Sequence, residues 1–302
     1  PARFVPPSRW APPGEADPYS RRDGDAPMMQ LVCRVRDDGR CDVWARMNHV
    51  AADGVPMQEV LTRLEAAWPA PEPVVYPTPE AFAPFGAPRP APGGRPGLAE
   101  ATFFADFSAL LSWRRAVNAS LPAGETMTIS AALLWRLSQQ PEFRRLHFGT
   151  TVETGEADGL PRGVGVNVVH PARYGGLQGE RAVAAYVRDF NRRLWRNRRR
   201  AGQGTRTLDA AALLPARYST PLLLFALSRT RSAIGTMALT MLKDAKVFWT
   251  PIAQAGHDDG FIAIGSIALP TADGRRVGCV SIKGPAERIA RHTPLIARAI
   301  DG

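Results

Sequence analysis

The segment Asn48-His49-Val50-Ala51-Ala52-Asp53-Gly54 brings an imidazole, a carboxylate and a glycine into a few residues of chain. An imidazole titrates near neutral pH and can take a proton from a hydroxyl, thiol or amine, so His49 is a candidate general base. Asp53 can hold the bend by pairing with a cation or by accepting the first N–H groups of a following helix. Gly54 permits a positive φ or a close backbone approach. Spacing alone is a weak signal, and a structural histidine is the plain alternative. Context strengthens the chemical reading, because the motif ends a strand-like run and leads into a helical pattern. The other four histidines lack that setting. His147 and His170 lie beside apolar residues at strand ends, and His292 falls on the last helix. His257 lies in the loop Gly256-His257-Asp258-Asp259-Gly260, but consecutive loop residues rarely converge on one ion. No metal site is expected.

The elements that must position His49 can be read from periodicity. Met29–Arg36 and Asp42–Met47 read as strands joined by the turn signal Asp37-Asp38-Gly39-Arg40, a β-hairpin. After the motif, Val60, Leu61, Leu64 and Trp68 fall on one helical face, with Pro56 in the first turn where a missing N–H costs nothing. Residues 71–97 hold nine prolines and read as an extended crossover linker. The expected organisation is therefore an N-terminal unit (1–70), the linker (71–97) and a larger C-terminal domain (98–302). Within that domain, Thr102–Phe107 reads as a strand and Ser108–Ala119 as a helix. A buried helix spans Thr128–Gln139, capped by Thr128 or Ser130. Then come a strand at Val164–Val169, a helix at Arg181–Arg200, and buried strands at Ala233–Leu242 and Phe261–Leu269. Strand Val277–Ile282 follows the turn Ala272-Asp273-Gly274, and a last helix runs from Pro285 to Ile300. This mixture of strands and helices predicts an α/β or α+β fold.

Composition narrows the classes. The net charge of +10 suits an anionic partner, and its densest part is Asn191–Arg200. Its plain reading is an amphipathic helix with a solvated basic face. No helix-turn-helix, zinc-finger or RNA-recognition signature is present, which disfavours nucleic acid. No run approaches the roughly 18–20 apolar residues of a membrane span. The N-terminal stretch lacks an apolar signal core, so a cytoplasmic protein is expected. Cys33, Cys41 and Cys279 form no metal spacing, and Cys33 could face Cys41 across the hairpin.

Asn48–Gly54 resembles the HxxxDG signature of the CoA-dependent acyltransferases, which include chloramphenicol acetyltransferase, the dihydrolipoyl acyltransferases and nonribosomal peptide condensation domains. Thr102–Gln140 is similar to the strand, helix and buried helix of dihydrolipoyl acyltransferases. Gly235–Thr240, Phe248–Ile252 and Ile262–Gly265 resemble that family's strand, Thr-Pro-Ile loop and next strand. The order differs: in dihydrolipoyl acyltransferases the HxxxDG block comes last, and here it comes first. The late counterpart, Val280-Ser281-Ile282-Lys283-Gly284-Pro285-Ala286, is a strand-to-helix junction without a histidine. That arrangement is closer to condensation domains, where two related halves form a pseudo-dimer, although the N-terminal unit here is shorter than a full half.

The resemblance implies a chloramphenicol-acetyltransferase-like mixed sheet with flanking helices, in a reduced pseudo-dimer or a homo-oligomer. It implies His49 as general base, Asp53 and Gly54 as structural residues of the motif loop, and Thr240 as hydrogen-bond donor to the tetrahedral oxyanion. Thr240 reads equally as an ordinary β-branched strand residue. The implied reaction moves an acyl group from a pantetheine thioester, on acyl-CoA or an acyl-carrier protein, to the hydroxyl or amine of a small-molecule acceptor. No cofactor would be permanently bound, and no nucleophilic cysteine is needed. The alternative from another class is a non-catalytic scaffold or binding protein that keeps the fold.

Overall fold

The apolar runs MALTM and GFIAI are too continuous for strands with one wet face, and both prove to be central strands buried on both sides. The computed structural model describes residues 29–35, 37, 41–47, 59–60, 62–63, 66–67, 89–90, 97–144, 146, 148–157, 160–169, 179–212, 215, 218, 221, 237–241, 260–265, 269–270 and 273–302. The chain is an α/β protein, a mixed sheet with flanking helices.

Strands β1 (Met29–Val35) and β2 (Cys41–Met47) form the expected antiparallel hairpin. Its register sets Cys33 opposite Val43 and Cys41 opposite Val35, so the two cysteines do not oppose each other as the sequence allowed. The helical pattern after the motif is described only in part, where Arg63 donates to Glu59 at 2.9 Å across one turn.

The main sheet runs β3 (Arg89–Pro90), β4 (Leu98–Asp106), β10 (Arg276–Pro285), β8 (Gly260–Ile264), β7 (Met237–Met241), β5 (Phe148–Ala157) and β6 (Leu160–Val169). A further short strand, β9 (Leu269–Pro270), also pairs with β10. Strands β5, β7 and β8 are mutually parallel, while the other pairings are antiparallel. Three expectations shift. The run expected over Phe261–Leu269 divides into β8 and β9, with Gly265 N–H donating to Cys279 O at 2.9 Å between them. Arg89 and Pro90, inside the expected linker, add a strand to the sheet edge, where a proline costs little because one side needs no ladder bonds. Strand β5 was not foreseen, because FGTTVETGEA lacks an apolar alternation.

Four helices cover one face: α1 (Ser108–Ser120), α2 (Ile129–Ser138), α3 (Gly179–Ala212) and α4 (Ala286–Asp301). Thr128 caps α2 by accepting Ala131 N–H at 3.1 Å, settling the choice between Thr128 and Ser130. Helix α2 is apolar almost all round, with Ala131, Ala132, Leu133, Leu134 and Leu137 at 0% exposure, as befits a helix enclosed by others. Truncating one of these leucines to alanine costs about 2–5 kcal/mol. Arg136 ties α2 to the end of α4 by donating to Ala299 O and Ile300 O, with its guanidinium 5.3 Å from the Trp113 ring.

Helix α3 has the predicted two-sided character. Ala182, Tyr186, Val187 and Phe190 enter the core, and Tyr186 hydroxyl donates to Ala131 O at 3.0 Å. Arg181, Arg188, Arg192, Trp195 and Arg196 are exposed on the other side. None of the described helices is long and apolar enough to cross a membrane.

Candidate active site

The pairing register sorts the central strands into two faces. Met237, Leu239, Ile262, Ile264, Val280 and Ile282 share the large core with the helices. Their neighbours in sequence, Ala238, Phe261 and Ala263, form a separate small cluster drawn from strands alone. Thr240, Cys279, Ser281 and Lys283 occupy alternate positions on that second face, all of them buried.

The polar residues align across the strands. Thr240 is opposite Ala263, and Ala263 is opposite Ser281, so one row crosses β7, β8 and β10. At about 4.8 Å per strand, Thr240 and Ser281 backbones lie roughly 10 Å apart. The next row holds Ala238, Phe261 and Lys283. Two alanines beside two hydroxyls make a floor of short side chains, where bulky branched residues would be expected of central strands. Gly260 opens β8 at φ +124, and a Cβ there would meet Lys283 O at 3.0 Å. Only glycine allows β8 to approach β10 so closely at this corner.

Cys279 adds no nucleophile to this face. Burial pushes its thiol up to about 12, against a smaller lowering by its hydrogen bond with Ser281. At neutral pH the thiolate fraction is then on the order of one in 10⁵.

Of the residues singled out from sequence, Thr240 is described, at 4% exposure on β7. His49, Asp53 and Gly54 lie outside the described residues, as do His147, His170 and His257. His292 is described and sits on the helix side of the molecule, 5% exposed, its ring 4.8 Å from that of Phe143. Burial first, then Arg288 and Arg291, lower its pKa, with Glu142 opposing them. Its Nδ1 is buried without a hydrogen-bond partner. Packed against Phe143 of the main core, it is remote from the polar row. Among the described residues no group of three or more His, Cys, Asp or Glu gathers as metal ligands.

Ser281 and Lys283 were not recognised from sequence as site residues. Their signal was a period of two in β10, where Val277, Cys279, Ser281 and Lys283 alternate with Gly278, Val280, Ile282 and Gly284.

No protein-family model matches the chain, and no curated protein matches it. Solved structures do. Dihydrolipoamide acetyltransferase (E2p) of Azotobacter vinelandii is 18% identical, covering 67% of this chain and 81% of its own, with a TM-score of 0.41. A chloramphenicol acetyltransferase is 10% identical over 68% of this chain and 87% of its own, with a TM-score of 0.37. TRI101 of F. sporotrichioides, in complex with coenzyme A and T-2, is 13% identical over 88% of this chain and 68% of its own, with a TM-score of 0.43. Likenesses at this level assign no reaction to the chain.

Proposed function

We propose that this protein is an acyltransferase that moves an acyl group from a pantetheine thioester to a hydroxyl or amine. The observation that carries the reading is the face of the sheet away from the described helices, where the buried Thr240 and Ser281 flank Ala263. The second support is the His49-x-x-x-Asp53-Gly54 motif, read from the sequence. In the proposed reaction His49 takes the proton from the acceptor as it attacks the thioester carbonyl. The carbonyl oxygen becomes an oxyanion, to which Thr240 donates a hydrogen bond. Collapse of the tetrahedral intermediate releases the pantetheine thiol, which takes the proton from His49. Asp53 and Gly54 shape the loop that carries His49. No covalent acyl-enzyme forms, in keeping with the suppressed Cys279 thiolate. The donor is acyl-CoA or an acyl-carrier protein, which present the same reactive arm.

The test is thiol release from a panel of acyl-CoAs and acyl-carrier proteins in the presence of amine and alcohol acceptors. His49→Ala should lose about 10²- to 10⁴-fold in rate, the usual worth of a general base. Equal release by the variant and the parent would sink the mechanism and leave a binding protein that keeps the fold.

A further inference from the structure

Helix α3 sets like charges against one another along one face. Residues 181–200 hold eight arginines and a single acid, Asp189, and from Phe190 to Leu208 the chain has no acidic residue. Arg181, Arg188, Arg192 and Arg196 are exposed, and helical geometry puts them in one stripe opposite Tyr186 and Phe190, which enter the core. Arginines four residues apart, Arg188 with Arg192 and Arg192 with Arg196, repel one another and disfavour the helix. From Trp195 to Thr207 the sequence supplies no apolar stripe to offset this, and it includes two glycines, Gly202 and Gly204. Yet the helix runs on to Ala212. A helix so poor in support from its own side chains gains most from a partner that neutralises the stripe. Arg188 shows what the face accepts: its Nε donates to Glu125 Oε1 at 2.9 Å, a carboxylate from the loop ahead of α2.

We infer that this stripe is the docking surface for an acidic helix of a partner protein. From Arg181 to Arg196 it is straight for about 22 Å, and Arg188, Arg192 and Arg196 recur at roughly 6 Å, the rise of four helical residues. A second helix lying alongside at a small crossing angle repeats its own glutamates or aspartates at that interval, so carboxylates and guanidiniums meet one for one. Trp195, 59% exposed in the same stripe, gives the contact an apolar anchor; tryptophan and arginine together are the residues that carry most binding energy at protein interfaces. A duplex phosphate strand completes a turn in about 34 Å and winds off a straight stripe of this length. An anionic membrane would need the apolar face of α3, which the core already takes. The surface is on the helix side of the sheet, opposite Thr240 and Ser281, and acts whether or not the chain transfers acyl groups.

Fluorescence anisotropy with a labelled, alanine-based helical peptide and the full chain tests this. The peptide carries glutamates at i, i+4 and i+8 with a leucine on the same face. It should bind about tenfold more tightly than a peptide of equal composition whose glutamates are scattered around the helix. Reversing the charge with Arg192→Glu/Arg196→Glu should cost about tenfold or more, and exchanging the peptide's glutamates for lysines should restore binding to that variant, which also shows the variant to be folded. Arg192→Gln/Arg196→Gln, uncharged and equally suited to a helix, should weaken the glutamate peptide too, and Trp195→Ala should weaken it about fivefold or more. Equal binding of the one-faced and scattered peptides would reduce the stripe to bulk charge and overturn the docking surface. Undiminished binding by the glutamine variant would do the same. Tighter binding, through the same arginines, of a single-stranded oligonucleotide or of vesicles of anionic phospholipid would assign the stripe to phosphate and overturn it as well.

Discussion

Replacing Thr240 by valine removes one hydroxyl and almost no volume, and the sheet supplies its own control. Thr150 is likewise buried, at 5% exposure against 4% for Thr240, and stands one strand away. Its register partner is Leu239, so Thr150 belongs to the helix-covered face and Thr240 to the other. Both Thr→Val changes lose a buried polar atom and keep a β-branched side chain suited to a strand. Their effects on folding should each fall near 1 kcal/mol, the net worth of a typical hydrogen bond. Catalysis should separate them. A donor to an oxyanion contributes about 3 kcal/mol in the transition state and little in the ground state. At 1.36 kcal/mol per decade, that is a loss of about 100-fold in kcat with KM nearly unchanged. Thr240→Ser keeps the donor and should recover much of the rate. Steady-state thiol release at saturating acceptor, with melting curves of all three variants, completes the measurement. If Thr240→Val keeps kcat within about 3-fold of the parent, or falls no further than Thr150→Val, Thr240 is an ordinary strand residue.

Two further expectations follow from the buried titratable groups. Cys279 titrates near 12 in the folded chain against an ordinary value of 9.0, so the unfolded chain gives up its proton first. The stability it contributes is complete below pH 9 and is lost as pH rises toward 12. Cys279→Ala should flatten the alkaline limb of the melting profile and leave activity at pH 7 intact; a variant that loses activity in proportion to alkylation of the parent would contradict the inert thiol. His292 has the opposite sign. Its folded pKa lies below the ordinary 6.5, so the unfolded chain takes up the proton first and stability falls as pH drops below 6.5. Within that window His292→Leu should resist acid better than the parent, and urea unfolding at pH 5 and pH 7.5 reads the difference. Parallel losses in the two proteins would refute it.

Sequence periodicity was enough to find most elements after residue 97, because each buries a continuous apolar face that its own residues must supply. Helix α1 ends within one residue of its expected bounds, and Thr128 was a foreseeable cap, since a threonine before an apolar helix satisfies a free N–H by itself. Strand β5 escaped notice for the opposite reason. Its threonines, glycines and acids carry little burial signal, and pairing with β6 and β7 holds it in the sheet. The dipeptide Asp158-Gly159 between paired Ala157 and Leu160 was the available clue.

The candidate chemistry divides in the same way. His49, Asp53 and Gly54 are legible because they are neighbours in the chain, and a motif of neighbours needs no folding to be recognised. Thr240, Ser281 and Lys283 come from two strands about 40 residues apart in sequence. Nothing local distinguishes their polar atoms from those of a solvent-facing strand. Only the order β10-β8-β7 and its register set them in adjoining rows, on the face opposite the helices. Residue type decided which groups could hold a proton or a charge; tertiary pairing decided which of them share one surface, because alternation along a strand assigns a face only relative to its neighbours.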